Sequence, residues 1–314
     1  MRRAAIVYNP IRVDLARLRR TVATGESKTG WGESLWFATS LERPTSELVD
    51  DALAAGVELV IAAGGDGTVS ETASALRQRG VPLGILPCGT ANLLARNLRL
   101  PLNSLGAAAR IAFSGADRAM DVGVLDYRLV DGTAGARPFF VMAGFGLDAD
   151  MVSGTDPLAK KRFGWLAYVN PILRSANRRS RAAITYALDG GLPIASRLHT
   201  LVVGNCGTVT AGLRLLPTAE IDDGLLDVLA VRSLWGRDRA RFLGWLTPYQ
   251  GPRRPVPPEP RTEPHGAFRY TTARTITVDL HDAVAIQADG DLIGTAVWAE
   301  FALDPGAVTV RVAG

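Results

Sequence analysis

Apolar and polar positions follow two different rhythms along this chain. Within the first 115 or so residues, short apolar runs at 4–8, 34–38, 57–63 and 83–86 read as strands buried on both faces. Residues 15–20, 45–55, 69–79, 91–98 and 104–113 instead space their apolar side chains three and four apart, as a helix with one buried face does. This βαβα order predicts a parallel sheet covered by helices, with ligands bound beyond the carboxyl ends of the strands. From Met120 onward the rhythm shortens. Runs at 138–142, 183–188, 198–203, 225–231, 275–280 and 283–287 predict an antiparallel β-sandwich or folded sheet, punctuated by Asp189-Gly190-Gly191 and Asp289-Gly290-Asp291. Helices are expected near 160–173 and 237–246. Seven prolines between Pro248 and Pro264 predict an irregular, exposed loop.

Composition adds domain count and compartment. A chain of 314 residues with 47% hydrophobic and 21% charged residues is long for one core and comfortable for two. No run reaches the roughly 18 consecutive apolar residues of a membrane span, and Met1-Arg2-Arg3 leads into a short strand-like run without a secretory core. A cytoplasmic protein is expected. Cys88 and Cys206 build no disulfide framework and lack zinc-ligand spacing, which fits a reducing compartment.

The net charge of +4 is mild, and its distribution says more than its size. Lys160, Lys161, Arg162, Arg174, Arg178, Arg179 and Arg181 cluster around Phe163, Trp165, Leu166, Tyr168 and Val169. Such a segment suits an anionic bilayer surface, and equally an amphipathic helix packing its rings on the core. Trp235, Phe242, Trp245 and Tyr249 with Arg237, Arg239 and Arg241 form a second segment open to both readings. The basic clusters carry no nucleic-acid-binding motif, so no nucleic acid partner is expected.

The candidate chemistry starts at Gly64-Gly65-Asp66-Gly67-Thr68, a glycine-rich turn between a predicted strand and a predicted helix. Glycines let backbone N–H groups approach an anion, and the helix N-terminus adds partial positive charge. Asp66 is the odd member. A carboxylate beside phosphate oxygens calls for an intervening divalent cation, which points to Mg²⁺-nucleotide chemistry. The alternative is a tight strand–helix turn with Asp66 as its N-cap. No Gly-x-x-x-x-Gly-Lys-Ser/Thr motif exists, so phosphate charge would be met by backbone N–H groups, magnesium and arginine, with Arg96 a candidate.

Several further motifs fall in a recognisable order: Asn9-Pro10, Gly64 to Thr68 with Glu71, residues 84–92 (GILPCGTAN), Met120-Asp121-Val122-Gly123, Gly144-Phe145-Gly146, residues 222–227 (DDGLLD) and Asp289-Gly290-Asp291. Together they resemble the diacylglycerol kinase and sphingosine kinase group of lipid kinases over nearly the whole chain. The resemblance implies an α/β N-terminal domain with a parallel sheet, as in NAD kinases and diacylglycerol kinases, over residues 1–120 and rejoined by 304–314. It implies a C-terminal antiparallel β-sandwich domain over 121–303. ATP would be contacted by Asn9, Thr39, Gly64, Gly65, Asp66, Gly67, Thr68, Glu71, Gly89 and Thr90. Asp66 and Asp121 would stand near the catalytic Mg²⁺, and Asp289 or Asp291 would be the general base. Asp223, with backbone carbonyls at Glu220 and Leu225, would match a structural magnesium site, whereas residues 222–227 taken alone read as an exposed β-turn.

Two positions depart from the family pattern. Leu93 follows Asn92 where the family commonly has aspartate, and the final turn ends in Asp291 where glutamate is usual, shortening the reach by about 1.5 Å. The implied activity is an ATP- and Mg²⁺-dependent lipid kinase acting on a lipid substrate, diacylglycerol-like or sphingoid, at the inner face of the cell membrane. NAD kinase and a non-catalytic nucleotide-binding regulator are the alternatives, and a homodimer is left open.

Overall fold

The computed structural model describes residues 1–146, 181–209, 214–232 and 266–314. The predicted helices near 160–173 and 237–246, the proline-rich loop and nearly all of both aromatic-basic segments lie outside the described residues. Two compact units divide the chain: Met1–Asp121 with Pro305–Gly314, and Val122–Asp304.

The first unit alternates strand and helix. In chain order it comprises β1 (Ala4–Tyr8), α1 (Leu15–Thr29), β2 (Leu35–Ala38), α2 (Thr45–Ala54), β3 (Leu59–Gly64), α3 (Asp66–Leu76), β4 (Leu83–Pro87), α4 (Leu93–Asn97) and α5 (Leu105–Ser114). β4, β3, β1 and β2 pair in that order, all parallel, with Tyr8 opposite both Ala63 and Ala38, and Gly64 opposite Pro87. β3 and β4 are buried along their whole length, as strands covered on both faces must be. On one face Ile6, Ile61 and Leu86 pack with Leu18 and Val22 of α1 and Phe113 of α5.

Helix α1 runs nine residues beyond its expected end at residue 20. The hydroxyls of Thr21, Thr24 and Thr29 donate to carbonyls one turn back, and Gly25 lets the helix lie directly on the Phe113 ring. Gly30, at φ 71°, ends it.

The second unit is built on antiparallel strand pairs. It begins within β5 (Ala116–Leu129) and continues through β6 (Ala134–Phe139), β7 (Met142–Phe145), β8 (Ala182–Leu188), β9 (Ile194–Leu198), β10 (Thr200–Gly204), β11 (Leu226–Val231), β12 (Phe268–Ala273), β13 (Thr275–Ala288) and β14 (Asp291–Val312). Adjacent strands run β12-β11-β10-β7-β13-β14, while β8 and β9 extend from β13, and β5 and β6 from β14. β13 changes neighbours along its length. Residues 276–280 pair with β8 and residues 286–288 with β7, on either side of an irregularity between Asp279 and Val284. Phe139, Phe145, Ile184, Leu201, Val228, Ile276 and Phe301 form the core of this sandwich.

Four expected runs resolve differently. Residues 138–142 split between β6 and β7, and 198–203 between β9 and β10, while 275–280 and 283–287 join into β13. β14 has no counterpart among the periodic runs because Asp304-Pro305-Gly306 interrupts the alternation within it. Its end returns to the first unit, where Val310 pairs with Leu83 in parallel. No helix among the described residues is long and apolar enough to cross a membrane.

Candidate functional site

Parallel register brings four loops to one edge of the first sheet. Asn9 and Thr39 follow β1 and β2, and their backbone N–H groups donate to Ala63 and Tyr8. The glycine-rich loop follows β3, and residues 88–92 follow β4, where the Cys88 N–H donates to the Gly64 carbonyl at 2.8 Å. This is the carboxyl edge at which a parallel sheet binds its ligands.

The two glycine loops touch. A Cβ on Gly89 would lie 2.5 Å from the Gly65 Cα, and one on Gly64 would lie 2.6 Å from the Thr68 hydroxyl. Glycine is required at 89 because the Gly65 backbone occupies the space of a side chain, and at 64 because the Thr68 side chain does. Gly65 caps α3 from an extended conformation, so the first N–H groups of an eleven-residue helix open at this edge.

Asp66 does not face an open cradle. Its Oδ2 accepts the Asn92 N–H at 2.9 Å and its Oδ1 the Leu93 N–H at 2.5 Å, so both oxygens are turned to the second loop. Asn92 closes that loop on itself: its Oδ1 accepts the Gly89 N–H at 2.9 Å, and its amide donates to the Gly89 carbonyl at 2.8 Å. Asn92 holds φ at 47°, a left-handed conformation that asparagine tolerates better than most residues. The N-cap reading of Asp66 is therefore half right, with the capped helix being α4 rather than its own.

The remaining candidates separate into those that stay at the edge and those that do not. Glu71 Oε2 accepts the Thr45 hydroxyl at 2.5 Å, tying α3 to the first turn of α2. Thr68 is buried, whereas Gly67 and Thr90 are open to a ligand. Asp121 is buried, and its Oδ1 accepts the Gly306 N–H at 2.7 Å, holding the Pro305–Gly306 turn of β14. Among the described residues no three His, Cys, Asp or Glu side chains gather to hold a metal.

Two arginines supply cationic character. The Arg96 Nε is buried with no hydrogen-bond partner among the described residues, one turn past the second glycine loop. Arg17, on the first turn of α1, lies close enough to Cys88 for its charge to oppose the rise in thiol pKa that burial causes. Nothing in the sequence marks Arg17, because its proximity to Cys88 comes from packing between residues 71 positions apart.

In the second unit the Asp289-Gly290 turn has φ of 50° and 93°, as a two-residue hairpin turn demands. Its two carboxylates differ. Asp289 accepts three backbone N–H groups, from Phe140 and Val141 at 2.8 Å and Met142 at 3.0 Å, which is why residues 138–142 break into two strands. Burial pushes its pKa up to about 6 against the opposing pull of those hydrogen bonds. Asp291 is exposed and paired with Arg137 at 2.8 Å. Nearby, Cys206 is a buried thiol donating to the Phe140 carbonyl, its pKa raised by burial and then by the Asp289 charge.

Residues 222–227 form more than an exposed turn. The Asp223 Oδ1 accepts the Leu225 N–H at 3.0 Å. Asp227 is buried and bonded to the hydroxyls of Thr218 and Tyr270, and burial raises its pKa to about 6, with the charges of Asp223 and Glu220 adding to the rise. The negative field and the hard oxygen donors of Asp223 and the Glu220 and Leu225 carbonyls suit a divalent cation such as Mg²⁺.

Comparison with known proteins follows this division. Residues 28–125 match the diacylglycerol kinase catalytic domain, and residues 141–312 match the YegS C-terminal NAD kinase beta sandwich-like domain. A diacylglycerol kinase of Mycobacterium tuberculosis H37Rv is 32% identical over 186 residues, 59% of each chain, so the match spans about three fifths of that relative's length. A protein of Xanthomonas oryzae pv. oryzae named "probable lipid kinase YegS-like" is 34% identical over 250 residues, 77% of each chain. The solved structure of a diacylglycerol kinase from Bacillus anthracis superposes with a TM-score of 0.71 at 18% identity, covering 99% of this chain and 96% of that one, a likeness of fold.

Proposed function

We propose that this chain, which belongs to the lipid kinase family built on a diacylglycerol kinase catalytic domain and a YegS-type C-terminal domain, transfers the γ-phosphoryl group of ATP to a lipid hydroxyl. The observation that carries the nucleotide half is the meeting of Gly65 and Gly89 beside the N-terminus of α3. There, backbone N–H groups converge with no side chain to exclude a phosphate. Arg96 and Arg17 add cationic charge, and the edge residues Asn9, Thr39, Gly67 and Thr90 complete the contacts to ATP. Mg²⁺ accompanies the nucleotide as a counter-ion of its phosphates rather than as an ion resident between Asp66 and Asp121. Phosphoryl transfer asks little covalent chemistry of a protein, so positioning and charge are the main requirements.

Asp291 is the better general base of the two. It is exposed and held in place by Arg137, whereas Asp289 already accepts three N–H groups and sets the conformation of the turn. A structural Mg²⁺ at Asp223 and the Glu220 and Leu225 carbonyls would neutralise the charge around Asp227. The acceptor is a membrane lipid, which places the enzyme at the inner membrane surface while it works.

The deciding experiment incubates the purified protein with ATP, Mg²⁺ and a panel containing diacylglycerol, monoacylglycerol, ceramide, a sphingoid base, phosphatidylglycerol and NAD. Mass detection is expected to find one or more phosphorylated lipids and no phosphorylated NAD. Phosphorylated NAD alone would establish an NAD kinase, and ATP binding without any product would establish a regulator.

A further inference from the structure

We infer that Asp66 is a positioning residue that latches the second glycine loop onto the first, and that it shapes the phosphate cradle without touching metal or phosphate. This rests on the lipid kinase reading for its functional consequence, although the latch itself is a property of the fold.

Three observations converge on it. Both Asp66 oxygens accept backbone N–H groups 26 and 27 residues away, at Asn92 and Leu93. Those groups are the first donors of α4, a five-residue helix whose N-cap, Asn92, makes no side-chain cap of its own. Its side chain is committed to Gly89 on both sides of the amide, so the capping has to come from elsewhere, and Asp66 supplies it. Finally, a Cβ on Gly89 would lie 2.5 Å from the Gly65 Cα, so the second loop rests against the first with no room for a side chain at 89, and its spacing depends on whatever holds the two together.

A carboxylate that accepts two N–H groups and sits in the first turn of α3 is stabilised by both helix starts, so its negative charge is compensated within the protein. No cation is needed between Asp66 and a phosphate. The role of Asp66 is to turn residues 89–93 so that their other backbone groups lie against the first loop. Leu93 is compatible with this because only its N–H takes part, and the apolar side chain is half-buried.

The test replaces Asp66 by Asn. The isosteric amide keeps one acceptor but presents an NH₂ to the second backbone N–H, which breaks half of the latch while removing the charge. In the full-length protein without ligand, hydrogen exchange of the Asn92 and Leu93 amides should accelerate in Asp66→Asn while residues 59–64 stay protected. With nucleotide, the ATP dissociation constant should rise about tenfold or more, to the same extent in EDTA and in Mg²⁺, as expected for loss of charge-assisted bonds. KM for ATP should rise more than kcat falls.

A metal ligand behaves otherwise. If the loss of affinity appears only with Mg²⁺ and amide exchange at 92–93 is unchanged, the latch is overturned. Should Asp66→Asn fail to fold, Asn92→Ala carries the same measurements, since it removes the Gly89 clip while keeping the Asp66 carboxylate. Faster exchange over 88–93 with a Mg²⁺-independent loss of ATP affinity supports the latch, and unchanged exchange with Mg²⁺-dependent loss rejects it. If the unaltered protein binds no ATP, the kinase reading fails while the exchange measurement still decides the latch.

Discussion

Asp289 and Asp291 stand two positions apart in one turn and do different work because their surroundings differ. Asp289 fixes the backbone at residues 140–142 through three hydrogen bonds, so Asp289→Asn places an NH₂ against N–H donors. A loss of roughly 1–3 kcal/mol in unfolding free energy is expected from the unsatisfied donors, read as a lower urea midpoint. Asp291→Asn should leave that midpoint nearly unchanged, since its pair with Arg137 is exposed on both sides. Its lipid phosphorylation rate should fall by about 10²–10⁴-fold, the usual contribution of a general base. The reverse pattern, with activity surviving Asp291→Asn and vanishing at an otherwise stable Asp289→Asn, would exchange the two roles.

At the scale of elements, close packing decides what helix propensity alone would not. Gly25 sits inside α1, where alanine would ordinarily favour the helix by about 1 kcal/mol. A Cβ at that position would lie 2.6 Å from the Phe113 ring, which is fully buried between α1, α5 and Trp31. Overpacking costs typically about 1–3 kcal/mol, so Gly25→Ala should destabilise the first unit on balance, seen as a lower unfolding midpoint by circular dichroism of its helices. A rise in that midpoint would show that α1 and α5 can separate without loss. The same geometry explains why the expected helix stops at residue 20: the Thr, Gly and Ser content of residues 21–29 suppresses helix propensity, and the contact with α5 restores it.

At the scale of the whole molecule, the second unit carries two carboxylates with pKa values raised to about 6, Asp227 and Asp289. A raised carboxylate favours folding in its protonated form, so its contribution is complete below pH ~4 and is lost as pH rises through about 6. For fully buried Asp227 this is on the order of 3 kcal/mol. Unfolding midpoints in EDTA should therefore be higher at pH 5 than at pH 7, and Asp227→Asn should reduce the difference while Asp289 maintains the rest. Added Mg²⁺ should narrow it too, because a cation beside Asp223 and Glu220 opposes the charges that push Asp227 up. A pH profile indifferent to both changes would remove the structural magnesium proposal.

The sequence alone determined the parts that depend on local backbone chemistry. Burial on both faces marked β3 and β4, glycine spacing marked the loop at 64–68, and Asp289-Gly290 marked a turn with positive φ, because each is written in neighbouring residues. Family resemblance added the return of the last strand, which Pro305 and Gly306 conceal from periodicity. Only tertiary structure decided where the carboxylates point. Asp66 to Asn92, Asp121 to Gly306 and Asp289 to Phe140 each join groups 26, 185 and 149 positions apart. A side chain's partner at that separation is set by strand register and loop contact, which form after the local pattern has been satisfied, so no pattern along the chain can specify it.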